Sequence, residues 1–316
     1  MNTIRTGVIG VGYLGQFHAE KYASLPNATL AGIVDPDKAR ADLIANKLHT
    51  SVFTDPADLL GHVDAVSIVA PTIHHHHIAG QFLNAGVHVL LEKPITVTLE
   101  QAAELIALAE RKRVILQIGH IERFNPAIIS LKPLLKAPRY LQAERSAPFT
   151  VRCTDVNVIL DLMIHDLDIV TDLAGSMPAK VSAAGASVIT REIDSALARI
   201  VFENGCVADV SASRLSDEKK RIVRIFDGEV LYTADYQTQK ASVSRRGTGT
   251  IPEFVTSEIA SERRDTLLEE IRSFLACIEN NIRPLVSGAE GRNALALARI
   301  ITDSIEQGAN GFVPFS

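Results

Sequence analysis

The chain has 316 residues, 47% of them hydrophobic, which suffices for two domains with proper cores. A net charge of −5 offers no basic field for nucleic acid or an anionic membrane surface. Cys153, Cys206 and Cys277 are widely spaced and odd in number, so they form neither a zinc spacing nor a disulfide framework and point to a reducing cytoplasm. The apolar pattern starts close to Met1, so no signal peptide is expected, and no apolar run approaches the ~20 residues of a membrane span.

In chain order, residues 6–10, 30–34, 65–70, 87–91 and 114–118 are Val/Ile/Leu-rich runs without alternation, as in parallel strands buried on both faces. Helical patterns lie between them at 13–24, 36–48, 75–85 and 99–111. The last opens with a capping box, Thr98-Leu99-Glu100-Gln101. This alternation predicts an α/β domain over residues 1–121, a doubly wound Rossmann parallel sheet with right-handed crossovers. From residue 122 the texture changes. A helix over 158–174 is followed by alternating stretches, among them 196–202, which runs into the hairpin signal Glu203-Asn204-Gly205. Similar stretches reach residue 245, and two helices close the chain at 265–280 and 288–308. Residues 122–316 are therefore expected to form an α+β domain with a mostly antiparallel open sheet, serving substrate binding and oligomerisation.

The first strand runs into GVIGVGYLG, which places Gly10, Gly12 and Gly15 in G-x-G-x-x-G spacing with Tyr13 and Leu14 between them. Such glycines let the backbone approach a pyrophosphate, and the helix they open supplies N–H donors and a positive dipole end. Asp35 follows at the end of the next strand, about 20 positions on, where a dinucleotide's ribose hydroxyls are held. Its charge repels a 2′-phosphate and favours NAD over NADP, although Lys38 and Arg40 close behind soften that preference. Asp35 also suits a helix N-cap before Pro36, and both readings are compatible with the position.

The run PTIHHHHIA, starting at Pro71, raises the question of a metal site. Consecutive helical residues are about 100° apart, so four histidines in a row do not converge on one ion. No cysteine or carboxylate joins them, and no metal is expected. On the later helix, Asp161, His165, Asp168 and Asp172 fall within about 60° of one another on the helical wheel. Leu160, Met163, Leu167 and Val170 take the other side. The stripe reads equally as a solvated acidic face or as a histidine held between carboxylates for proton transfer.

Taken together, GVIGVGYLG, VAPTIHH, AGVHVLLEKP and LDLMIHDLD resemble the glucose–fructose oxidoreductase/inositol dehydrogenase/MocA family, and the likeness runs through the C-terminal EEIRSFLACIENNIRPLVSGAEGRNALALA. The resemblance implies a dehydrogenase of CH–OH groups. It singles out His75, four positions after Pro71, as the histidine beside the cofactor, and leaves His74, His76 and His77 to the surface. It also implies that Glu92 and Lys93 of the Glu-Lys-Pro segment border the cofactor. Lys93 would polarise the substrate hydroxyl, His165 accept its proton, and Asp161 orient His165 or bind the sugar. Arg123 and Asn125 of GHIERFNPA, with Asp168, would face the substrate. Many relatives carry a glycine-rich turn just before the catalytic aspartate, where this chain has Val156-Asn157-Val158-Ile159-Leu160.

The wording ERFNPA and LDLMIHDLD is similar to that of bacterial members associated with UDP-N-acetylhexosamine 3-dehydrogenation, for whose diphosphate Arg123, Arg145 and Arg152 are candidate partners. A free sugar or inositol is the alternative substrate. A non-catalytic NAD-dependent sugar sensor is the alternative from another class, and the presence of both Lys93 and His165 speaks against it. The outer face of an open antiparallel sheet, with Val201, Val207, Val210 and Ile222, suggests a homodimer or homotetramer.

Overall fold

The apolar runs of the first 121 residues do become parallel strands. In the computed structural model, β1 (Ile4–Ile9), β2 (Ala28–Val34), β3 (Ser51–Phe53), β4 (Ala65–Ile68), β5 (His88–Glu92) and β6 (Leu116–Gly119) form one parallel sheet in the order β3-β2-β1-β4-β5-β6. The order reverses between β1 and β4, so the carboxyl ends of these two strands flank the crevice where such sheets bind ligands. Helices α1 (Gly15–Ser24), α2 (Lys38–Leu48), α3 (His75–Asn84) and α4 (Leu99–Lys112) connect the strands. α4 starts at the predicted capping box: Thr98 Oγ1 accepts from the Gln101 backbone N–H and Gln101 Oε1 accepts from that of Thr98, both at 3.3 Å. β3 escaped the sequence reading because three half-exposed residues carry too little apolar pattern.

The second sheet contains β7 (Tyr140–Ser146), β8 (Pro178–Ala186), β9 (Ser195–Phe202), β10 (Val207–Ser213), β11 (Lys220–Asp227), β12 (Val230–Asp235), β13 (Lys240–Arg246) and β14 (Phe254–Ile259). α5 (Pro126–Leu131) precedes it in sequence, and α6 (Ile164–Ala174) lies between β7 and β8. The predicted 158–174 helix is a π-helical turn, Ile159–Met163, that passes into α6. The chain closes with α7 (Thr266–Asn280), α8 (Gly288–Glu306) and β15 (Val313–Pro314). Strand order is β14-β13-β12-β11-β7-β10-β9-β8-β15, antiparallel throughout except where β7 lies parallel to β10. The hairpin of β9 and β10 turns at Gly205, whose φ of +83° suits glycine.

Inward residues of β9 and β10 alternate strictly: Ala196, Ala198, Ile200, Phe202, then Ala208, Val210 and Ala212. They pack on Leu167, Val170 and Leu173 of α6. The expectation for Val210 is thereby corrected. Side chains alternate with period two, so Val207 and Val210, three apart, cannot share a face, and Val210 belongs to the core. Val201, Val207 and Ile222 are half-buried on the opposite face, where Val207 pairs with Val201 and stands beside Tyr140, itself stacked on Phe226 at 5.4 Å.

The structure describes residues 3–150, 156–249, 251, 253–308 and 311–315. It divides into two units, 1–121 with 265–292 and 122–264 with 293–316. The first unit thus takes in residues from beyond 121, where the sequence suggested a single division of the chain. α7 instead returns to the first unit, where Leu267, Ile271 and Phe274 join a core with Ala19 and Tyr22 of α1. Burying each such side chain contributes about 1.5–3 kcal/mol.

Candidate active site

Each fingerprint glycine has a separate physical reason. Gly10 has φ +83°, and a Cβ there would lie 2.7 Å from the Val69 carbonyl oxygen. A Cβ on Gly15 would lie 1.8 Å from the Gly10 oxygen, so the helix could not close against the turn. Gly12 differs: a Cβ there meets no protein atom nearer than Arg40 Nη1 at 3.6 Å. Packing does not demand glycine at 12. The bare backbone leaves room for something outside the protein, as the approach of a pyrophosphate requires. Tyr13 and Leu14 are exposed beside it, with Tyr13 edge-on to Phe17.

Asp35 is 5% exposed and holds the turn together. Its Oδ2 accepts the Val11 N–H at 2.8 Å and its Oδ1 the Asp37 N–H at 2.9 Å. A carboxylate has about four lone-pair sites, so acceptor capacity remains for ribose hydroxyls. The N-cap of α2 is Asp37, not Asp35. Arg40 Nη2 is drawn to Asp37 at 2.7 Å, and its Nη1 stands 3.7 Å from Asp35. Its guanidinium thus hydrogen-bonds Asp37 and stays half-exposed near Asp35.

The four histidines differ in burial and partners. His75 is buried, His74 and His77 are exposed, and His76 pairs with Glu104 at 2.8 Å. His75 lies within 2.8 Å of the Ala70 carbonyl oxygen through Nε2 and 2.9 Å of the Pro94 carbonyl oxygen through Nδ1. It ties the segment after β4, which includes Pro71, to the segment after Lys93. Burial pulls its imidazole below the usual range, against the upward pull of the two carbonyls. Among the described residues no group of three or more His, Cys, Asp or Glu side chains is placed to hold a metal ion. Lys93 follows β5 directly, half-buried, and its backbone N–H donates to Glu92 Oε2 at 3.2 Å.

In the second unit, Asp161 lies in the π-helical turn and His165 in the first turn of α6, both half-buried. Asn157 starts this segment by accepting the Leu160 N–H on its side chain at 3.0 Å. Arg123, Asn125 and Asp168, expected to face substrate, turn inward instead. Arg123 and Asp168 form a bidentate pair at 2.6 and 3.0 Å, both under 10% exposed. Arg123 also pairs with Asp172, which Lys132 reaches at 2.7 Å. Asn125 caps α5 through Oδ1 and donates to the Tyr236 carbonyl and to Glu122. A buried charge requires a partner, and these residues supply one another.

Arg145 is corrected likewise as a diphosphate partner. It is 2% exposed, chelated by Asp166 at 2.5 and 3.2 Å and by Glu122 at 3.1 Å, over the Tyr236 ring. Burial alone would lower its pKa, but Asp166 and Glu122 outweigh that and raise it. Arg152 lies outside the described residues. Asp166 and Glu122 went unnoticed in the sequence, although Asp166 falls on the apolar side of its helix between Met163 and Val170, a placement that signals a paired buried charge. The polar stripe is no solvated face, since Asp168 is buried.

A parallel sheet with a switch point, a glycine turn open at Gly12 and an acidic residue after β2 mark a dinucleotide-binding domain. The comparisons agree: the oxidoreductase family with an NAD-binding Rossmann fold matches residues 4–120, and its C-terminal alpha/beta domain matches residues 154–313. The chain belongs to the glucose–fructose oxidoreductase/inositol dehydrogenase/MocA family and is an NAD-dependent oxidoreductase. It is 42% identical to the UDP-N-acetylglucosamine 3-dehydrogenase of Acidithiobacillus ferrooxidans, over 96% of this chain and 97% of that one. A solved structure of that enzyme superposes with a TM-score of 0.93, covering 97% of this chain and 99% of the other. The scyllo-inositol 2-dehydrogenase (NAD(+)) of Bacillus subtilis is 28% identical over 96% of this chain and 95% of its own. Among the described residues no helix is long and apolar enough to cross a membrane.

Proposed function

We propose that the protein oxidises the C3 hydroxyl of a UDP-N-acetylhexosamine with NAD, in the cytoplasm. The observation that carries this reading is the 42% identity over nearly the full length of both chains to a UDP-N-acetylglucosamine 3-dehydrogenase, against 28% to the inositol enzyme. Lys93, at the carboxyl end of β5, donates to the substrate oxygen and favours the developing alkoxide. His165 accepts the hydroxyl proton, and Asp161, one helical turn earlier, orients the imidazole. When bound, NAD supplies the two-electron acceptor at nicotinamide C4, so the C3 hydrogen leaves as hydride while the oxygen loses its proton to the protein. Asp35, Gly12 and the N-terminal end of α1 hold the adenosine and pyrophosphate side, and His75 fixes the wall between Ala70 and Pro94.

The half-buried outer row of Val201, Val207 and Ile222 supports association into a homodimer or homotetramer through the open sheet face. The test is NADH formation from UDP-N-acetylglucosamine, free N-acetylglucosamine and myo-inositol at equal concentration. Preferential turnover of the nucleotide sugar with a 3-oxo product supports the reading, and preferential turnover of inositol overturns it. The same preparation, measured by light scattering at micromolar concentration, reads the assembly.

A further inference from the structure

His18 and Tyr22 of α1, Ser67 of β4, Gln117 of β6 and Glu270 of α7 are polar side chains fully buried in the first unit. Three of them form a chain leading to Glu92. Tyr22 Oη is 2.9 Å from Ser67 Oγ, Ser67 Oγ is 3.1 Å from His18 Nδ1, and His18 Nε2 is 3.4 Å from Glu92 Oε1. With Ser67 donating to Nδ1, the Nε2–H is left to face the Glu92 carboxylate. Glu92 Oε2 meanwhile accepts the Lys93 N–H. Gly119, opposite Glu92 on β6, keeps space for this carboxylate, since a Cβ there would lie 2.8 Å from Oε1.

Glu270 stands apart from that chain. Neither of its carboxyl oxygens has a hydrogen-bond partner, and Gln117 Nε2 donates to its backbone carbonyl instead, at 3.2 Å. Glu92 and Tyr22 are the groups with which it interacts electrostatically, while Glu269 and Arg272 of its own helix pair with each other at 2.8 Å. Two interacting carboxylates, one of them fully buried, do not both ionise readily, and the one with donors keeps the charge. That one is Glu92. Burial pushes it up, but His18 and Lys93 outweigh burial and leave it below the usual range. Burial, and then the Glu92 charge, push Glu270 well above it.

We propose that Glu92 is a positioning residue for Lys93, its carboxylate anchoring the Lys93 backbone N–H, and that the unpartnered Glu270 carboxyl is a neutral acid that leaves the charge of this interior on Glu92. The inference rests on the reading in which Lys93 acts on the substrate oxygen. An acid whose folded pKa is raised loses stability as pH climbs from its unfolded value to its folded one. Glu270→Gln removes that loss.

The test is urea unfolding of wild type, Glu270→Gln, Glu92→Gln and the double variant between pH 5 and 9, with kcat and NAD affinity at neutral pH. The stability advantage of Glu270→Gln over wild type should grow about tenfold in unfolding equilibrium constant per pH unit until Glu270 ionises. In the Glu92→Gln background that growth should stop at lower pH, because the neighbouring charge is gone. Glu92→Gln should lower kcat about tenfold or more, as expected when one charge-stabilising donor is misplaced. A flat difference across the pH range overturns the neutral acid. The same stopping point in both backgrounds, or wild-type kcat in Glu92→Gln, overturns the positioning role. If the wild type turns over no sugar while the pH-dependent growth is present, the functional reading falls and the neutral Glu270 stands.

Discussion

Replacing Gly12 by alanine separates binding from folding at the cofactor turn. In the free protein the new methyl would meet only Arg40 Nη1 at 3.6 Å, an ordinary contact, and Gly12 is not in the left-handed region. Stability should therefore be unchanged or raised by about 0.4–1 kcal/mol, from reduced freedom of the unfolded chain. The same methyl occupies the space through which the backbone approaches the pyrophosphate. Losing one charge-assisted hydrogen bond costs about 1.5–3 kcal/mol, which is roughly ten- to a hundredfold in Kd. Gly15→Ala is the contrasting control. Its Cβ would lie 1.8 Å from the Gly10 oxygen, so backbone must move, at or beyond the upper end of the ~1–3 kcal/mol range for overpacking. Thermal unfolding of each variant without cofactor, followed by calorimetric titration with NAD, distinguishes them. Wild-type NAD affinity in Gly12→Ala would refute the assignment of the opening at Gly12 to a pyrophosphate.

His165→Asn should lower kcat by about 10²–10⁴ with NAD affinity nearly unchanged, whereas Lys93→Met should lower it by about 10²–10³; single-turnover NADH formation reads both. Their combined loss should be less than additive if both serve one proton transfer. Near wild-type turnover in His165→Asn would remove that residue from the chemistry. Asp35→Ser removes the charge that disfavours a 2′-phosphate and should narrow the preference for NAD over NADP in paired titrations, an unchanged ratio counting against its role. Asp168→Asn breaks a buried pair with Arg123 and should destabilise by about 3 kcal/mol, the lower end of the usual cost because Asp172 remains. A raised KM for the sugar with unchanged urea stability would instead return Asp168 to substrate binding.

The cofactor half was legible because its signals are local. A parallel strand buried on both faces reads as an unbroken apolar run, and the glycine turn and Asp35 sit at fixed offsets from it along the chain. The same holds for the capping box of α4 and the Gly205 hairpin, whose contacts span only a few residues. What the sequence left undecided depends on residues far apart in the chain. An amphipathic helix shows that it has an apolar face but not which core receives it, so the return of α7 to the first unit, with Phe274 on the core of α1, became visible only in three dimensions. The parallel insertion of β7 beside β10 is likewise a choice of partner that alternation cannot express. Arg123, Arg145 and Asp168 looked like ligand-binding charges because a sequence shows a charge without its counter-charge. Their partners stand 21 to 49 positions away, and the cost of burying an unpaired ion is what brings them together.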